Sequence, residues 1–331
     1  MRRATIGLFM LALLFVSITG MNNADALARN CQSISLRYRQ ALTDESVRTA
    51  QAKQPGLTFW TETSALLCTD LHQAQCTALY YQGDAFLVLG VEYCAGEPPS
   101  PLDFSSCAVS TALSTELFGS EDVLGLGLTL ESTEYTVRGV FPSDKPLALV
   151  PREEAGFTAV ELPFTEDARQ DPAAWVNVQL AESGLPEPDW QLYTGLCSAL
   201  GRGLAWLPLM FAALVLAIHG MRAAACWPFP ARDIARFLVL LAAAAALPLL
   251  LAVWPPWLTP SRWSDFSWWE QTSQTLSLQL EAFLLVPGMG RDLAIKSGLL
   301  GQAGIACLQC ALCEALRCLF RSSSRLHTAQ L

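Results

Sequence analysis

No G-x-x-x-x-G-K-[ST] run occurs in the 331 residues, so the chain carries no P-loop for ATP. Neither G-x-S-x-G nor H-E-x-x-H is present, and the three histidines, His72, His219 and His327, are scattered. No active site of a known type is visible, and the chain reads as a non-enzyme with no cofactor. Charge is also scarce, at 15% of residues, and it is unevenly placed. Met21 to Leu200 holds 24 acidic and 9 basic residues, a net of −15, which leaves 6 acidic and 12 basic elsewhere. Phosphate recognition needs a basic face, so this acidic body excludes nucleic acid as a partner.

What is abundant is apolar sequence, 52% of the chain, arranged in long runs. Thr5–Gly20 follows Arg2 and Arg3; at sixteen residues it is short for a span. Ala24-Asp25-Ala26 then offers a signal-peptidase site, so residues 1–25 read as either a membrane anchor or a cleaved signal peptide. Both readings put residues 26–190 outside the cytoplasm. Residues 191–331 read as a membrane domain with helices at 203–221, 237–257 and 293–320. The last contains Lys296, Gln302, Gln309, Glu314 and Arg317, so it is expected to face protein, its two glutamines bonding to other helices. Lipid is the implied surrounding, with a multi-pass cell-membrane location. Trp254, Trp257, Trp263, Trp268 and Trp269 form the expected outer aromatic belt.

The outer region reads as an α+β domain. Thr58–Cys68 and Cys76–Leu89 carry the Thr, aromatic and β-branched residues of strands, with a turn at Gly83-Asp84. Gly96–Asp103 is a proline-rich loop, and Asp103 and Asp122 are turn formers. Cys107–Ser110 predicts a short strand, with Ser110 as N-cap of a helix whose apolar face is Leu113, Leu117 and Phe118. Gly119-Ser120 ends that helix; Gly125 and Gly127 make a turn, and Leu128–Leu130 and Tyr135–Phe141 are strands. From Asp189 the chain reads as helix running into the 203–221 segment.

Six of the eleven cysteines, Cys31, Cys68, Cys76, Cys94, Cys107 and Cys197, fall in this outer region. An oxidising compartment favours disulfides. Short loops suggest Cys94–Cys107 and Cys68–Cys76, leaving Cys31–Cys197. Cys68, His72 and Cys76 on one helix face would be the rival metal reading. Cys307, Cys310, Cys313 and Cys318 lie in an Ala/Leu helix and read as small packing residues rather than an iron–sulfur run.

Gly96, Asp103, Ser110, Leu117-Phe118-Gly119, Glu121-Asp122, Gly125 and Tyr135-Thr136-Val137-Arg138-Gly139-Val140 together resemble the core-domain run of MacB/FtsX-type ABC transporter permeases. One early apolar segment, a large outer domain and three later segments fit the same family. The resemblance implies a MacB-like extracytoplasmic domain inserted after the first of about four FtsX-like helices. It implies a permease subunit that couples ATP hydrolysis on a separate ABC ATPase chain to export, extraction or mechanotransmission. A homo- or hetero-dimeric permease partner is implied as well. The basic loop with Arg222, Trp227, Arg232, Asp233 and Arg236 is then the expected ATPase contact. Its proline-broken sequence favours the alternative, a membrane-anchored extracytoplasmic binding or sensor module without an ATPase.

Overall fold

The computed structural model describes residues 2–31, 33–224, 228–253, 258, 262, 264–286 and 289–328. Among them the elements run α1 (Arg2–Asn30), β1 (Ser33–Arg37), α2 (Asp44–Lys53), β2 (Thr58–Cys68), β3 (Gln73–Gln82), α3 (Ala85–Val88) and β4 (Ala95–Gly96). Next come β5 (Ser106–Ser110), α4 (Thr111–Phe118), β6 (Gly127–Leu130), β7 (Thr133–Phe141), β8 (Leu147–Pro151) and β9 (Ala159–Pro163). The chain closes with α5 (Glu166–Gln170), α6 (Pro172–Ser183), β10 (Trp190–Tyr193), α7 (Thr194–Ala224), α8 (Ala231–Val253), α9 (Phe266–Leu285) and α10 (Gly290–Thr328). They group into two units: Arg29–Gly195 with Pro260–Ala294, and Met1–Ala28, Leu196–Thr259 and Ile295–Leu331.

The first unit is built on one mixed sheet in the order β10-β1-β9-β2-β3-β8-β5-β7-β4, with β6 bridging β2 and β7. The β3–β8 and β5–β7 pairs are parallel and the rest antiparallel. Helix α4 packs its Leu113 and Leu117 into a core with Val109, Val137, Val140 and Val150. Helices α2 and α6 cover another part of the sheet through Val47, Ala50 and Val176. This is the mixed α/β domain expected from the sequence.

The Ser110–Phe141 stretch folds as its sequence predicts. The Ser110 hydroxyl accepts from Leu113 N at 3.2 Å, capping α4, and from Leu147 N at 3.0 Å, tying the helix start to β8. Gly119 ends α4 with φ +70°, a left-handed conformation that suits glycine. Gly96 and Gly139 are register partners in the β4–β7 pair. A side chain on Gly139 would meet the Glu97 carbonyl and the Tyr93 ring. Gly139→Val is therefore expected to cost about 1–3 kcal/mol by overpacking, read from a lower unfolding midpoint.

Three expectations are corrected. The second strand is Gln73–Gln82, not Cys76–Leu89, because Gly83 (φ +125°) turns the chain and Asp84 caps α3 by accepting from Phe86 N. The β2–β3 hairpin turn lies instead at Thr69–His72, where the Thr69 hydroxyl accepts from His72 N. After Asp189 the chain forms β10 before α7 begins at Thr194, because Trp190–Tyr193 adds to β1 with Ile34 opposite Tyr193.

Helix α9 closes the outer edge of that strand. Its Gln279 side chain accepts from Tyr193 N at 2.9 Å and donates to Gln191 O at 3.1 Å, as a neighbouring strand residue would. Asp265 caps α9 by accepting from Trp268 N, and the Trp268 and Trp269 rings meet edge to face at 4.9 Å. Trp254, Trp257 and Trp263 lie outside the described residues.

Among the described residues, three stretches are long and apolar enough to cross a membrane: Thr5–Asn30, Thr194–Leu214 and Gly290–Leu319. The predicted 237–257 span lies in α8 as far as Val253; residues 254–257 are outside the described residues. The glutamines of α10 bond to α1 as expected. Asn23 Nδ2 donates to Gln302 Oε1 at 2.8 Å, and Gln309 Nε2 donates to Ser17 Oγ at 3.3 Å. Gly20 lies between these contacts, where a Cβ would stand 3.1 Å from Ile305. Asn23→Leu is expected to weaken the α1–α10 pair by about 0.6 kcal/mol, the average for such bonds in lipid, read as a lower unfolding midpoint in lipid vesicles.

Candidate functional site

Strand β1, Ser33-Ile34-Ser35-Leu36-Arg37, is buried along its whole length. Alternation sends Ile34 and Leu36 into the apolar core and puts Ser33, Ser35 and Arg37 on the opposite face. On the adjoining β9, Glu161 is the register partner of Ser35, and on its other side it faces Thr58 of β2. A fully buried carboxylate is thus centred on three strands. It accepts from the Ser33 hydroxyl at 2.5 Å, the Ser35 hydroxyl at 2.6 Å and Trp60 Nε1 at 2.9 Å.

Two arginines complete the cluster. Arg291, in the first turn of α10, lies 2.9 Å from Glu161 and donates to Asn30 O and Ser33 Oγ. Arg37 lies 3.8 Å from Glu161 and 3.0 Å from Asp292, and its guanidinium stacks 4.6 Å from the Trp60 ring centre. Arg37 NH1 also donates to Met289 Sδ. Arg37, Glu161 and Asp292 are each under 5% exposed. Glu62 receives the Gly290 N–H at 2.6 Å, placing a carboxylate at the positive end of α10.

The four buried groups sum to zero formal charge. Burial alone would raise the Glu161 carboxyl, but Arg291 and Arg37, with the two serine hydroxyls, hold it below its ordinary value. Burial lowers Arg37, while Asp292 and Glu161 oppose that shift. The arrangement pairs each buried carboxylate with an arginine and has no exposed nucleophile. It is suited to holding the start of α10 against β1, β9 and β2 rather than to bond-making chemistry.

The fold carrying this cluster is similar to two solved extracytoplasmic domains. One is the periplasmic region of MacB from Actinobacillus actinomycetemcomitans, at 13% identity over 50% of this chain and 90% of that one, with a TM-score of 0.42. The other is the extracellular domain of YknZ, a noncanonic ABC-type transporter from Gram-positive bacteria, at 13% identity over 47% of this chain and 96% of that one, with a TM-score of 0.36. No family model matches the chain, and no curated protein matches it.

None of the four cluster residues was singled out from the sequence. A signal did exist: a polar face alternating through Ser-Ile-Ser-Leu-Arg, and a lone glutamate inside the apolar strand Ala-Val-Glu-Leu-Pro. Of the expected ATPase-contact residues, Arg232, Asp233 and Arg236 come together at the start of α8. Asp233 accepts from Arg232 Nε at 3.2 Å and lies 3.9 Å from Arg236. Arg222 is exposed in the last turn of α7, and Trp227 lies outside the described residues.

Two of the expected disulfides do not suit the strand register. Cys76 pairs with Ala65, three residues from Cys68, so the two cysteines point to opposite faces and stand roughly 10 Å apart along the hairpin. That exceeds the about 6.8 Å of Cα separation that a disulfide spans. Strand β7 runs between Cys94, beside Ala95 of β4, and Cys107 of β5, two strand spacings or about 10 Å away. Cys68, Cys76, Cys94 and Cys107 are free thiols. Cys68, His72 and Cys76 lie on a hairpin, not on a helix face. Burial pushes the Cys76 and Cys107 thiols up to about 12, with Glu116 adding to the first and Cys76 to the second. Iodoacetamide on the native protein is therefore expected to alkylate exposed Cys94 and to spare Cys76 and Cys107, as peptide mass spectrometry would record. Cys31 and Cys197 are both buried.

Proposed function

We propose that the chain is the membrane permease subunit of an ABC transporter, its extracytoplasmic domain coupled through helices to an ATPase on a separate chain. The observation that carries this reading is the anchoring of α10. A helix with an apolar stretch long enough to cross a membrane begins inside the outer unit, and its first turn is fixed by Arg291 and Asp292 to buried charges on the sheet. Movement of such a helix must either move the sheet or break charged bonds in a dry interior. That joint suits export, extraction or mechanotransmission driven from the other end.

The Ser110–Phe141 fold agrees with the resemblance read from the sequence. Arg222, Trp227, Arg232, Asp233 and Arg236 are assigned to the ATPase contact, and a second permease, identical or related, completes the assembly. The α1–α10 pairing favours a retained anchor over a cleaved signal peptide, because losing α1 would strand Gln302 and Gln309 in lipid. The intact mass of the membrane-purified protein is expected to include residues 1–26.

The test is purification of the tagged full chain from its native membranes in mild detergent. A P-loop ATPase should co-purify, and cysteines placed at 222 and 236 should cross-link to it. Absence of any ATPase would sink the permease reading and leave the sensor module, which the mutual pairing of Arg232, Asp233 and Arg236 favours. Labelling of position 222 by a membrane-impermeant reagent in intact cells would reverse the topology.

A further inference from the structure

Helices α1 and α10 meet along an antiparallel seam with one stagger. Leu27, Asn23, Gly20 and Ser17 of α1 face Gly298, Gln302, Ile305 and Gln309 of α10, in that order. The steps are three or four residues on both helices, the spacing of a coiled-coil stripe. Asn23 Nδ2 also reaches Gly298 O, at 3.3 Å. The Ser17 hydroxyl donates to Leu13 O, which leaves its oxygen to accept from Gln309. Ser17, Leu27, Gln302 and Gln309 are all buried.

The apolar part of this seam does not choose the stagger. Gly20, Leu27, Gly298 and Ile305 are small or aliphatic, and a slip of one seam step, about 5 Å, sets such residues against one another again. The polar part does choose. A slip in one direction puts Gln302 beside Leu27 and Asn23 beside Ile305. A slip in the other puts Gln302 beside Gly20 and Ser17 beside Ile305. Both side-chain bonds are lost in either case. Among the described residues, Gln302 Nε2 and Gln309 Oε1 have no hydrogen-bond partner even at the observed stagger. A slip would therefore strip each amide of the bond it has, and a bare amide between apolar helices in lipid is costly.

We propose that the Asn23–Gln302 and Ser17–Gln309 pairs are register pins: they hold α1 and α10 at one stagger, so the two helices shift together and do not slide past each other. A single polar residue at a seam position fixes the register of a coiled coil by the same means. Each pin contributes little attraction; its effect lies in what a slip would leave unpaired. The assignment rests on the membrane reading alone, so failure to find an ATPase leaves it standing.

The test reads the stagger by disulfide trapping in the full chain, in vesicles of phosphatidylethanolamine and phosphatidylglycerol. Leu27→Cys is combined with Gly298→Cys, which it faces, or with Ile295→Cys, one seam step away. Copper–phenanthroline oxidises the thiols, and peptide mass spectrometry identifies the linked pairs. With the pins present, the 27–298 yield should exceed the 27–295 yield at least fivefold. Gln302→Met with Gln309→Met keeps the side-chain length, removes both pins and should bring that ratio below two. Ile305→Ala loosens the same seam without touching a pin and should leave the ratio above five. An unchanged ratio in the methionine variant, or an equal fall with Ile305→Ala, would overturn the proposal. Should the methionine variant not fold, Asn23→Leu removes one pin and should lower the ratio at least twofold, and no fall would refute it.

Discussion

Glu161→Ala is expected to lower the unfolding free energy by about 3–5 kcal/mol, the cost of breaking a buried pair from one side. The loss follows from what remains. Arg37 and Arg291 stay in a dry interior without their shared carboxylate, and Ser33, Ser35 and Trp60 Nε1 lose their acceptor. A second substitution, Arg291→Met, should cost less in the Glu161→Ala background than in the native chain, because the charge it removes is then unpaired. Denaturant unfolding of the four variants in detergent, followed by tryptophan fluorescence, measures both effects. The same pairing gives a direction to acid sensitivity. The folded Glu161 carboxyl is held below its ordinary value, so protonation favours the unfolded chain. Its contribution is complete above the ordinary glutamate value of about 4.3. It is lost as pH falls through the lower folded value, so stability should decline on acidification and Glu161→Gln should flatten that decline.

Leu117→Ala should cost about 2–5 kcal/mol, the range for a leucine deleted from a tight core. Leu117 is fully buried on α4 beside Leu113, against Val109 and Val137. Phe118→Ala, one residue along, should cost less although it removes more atoms, because Phe118 is only partly buried at the margin of that cluster. Unfolding midpoints for the two variants compare directly. A larger loss at Phe118 would mean that the apolar face of α4 is rotated from the one described.

The helix α4 and its flanking strands were legible because their signals are local. A capping serine, leucines four residues apart and a left-handed glycine lie within ten residues of sequence. The charge cluster was illegible for the opposite reason. Arg37, Glu161 and Arg291 are separated by more than a hundred residues at each step, and only sheet pairing brings them together. Strand β10 was read as helix because Trp190–Tyr193 runs directly into one; its identity comes from β1, not from its own four residues. The disulfide expectation weighed loop length, whereas register and alternation decide which way a strand cysteine points.

Helices α7 and α10, which both begin in the sheet unit and run on into membrane-length apolar stretches, differ in one respect. Helix α7 carries Pro208 within its apolar stretch. Helix α10 has no proline over 39 residues, about 58 Å of continuous rod. Under the permease proposal, that unbroken helix is expected to be the stiffer of the two. A helix with a missing hydrogen bond at its midpoint can flex there instead. Under the same proposal, a displacement reaching both helices is expected to bend α7 near Pro208 before it bends α10.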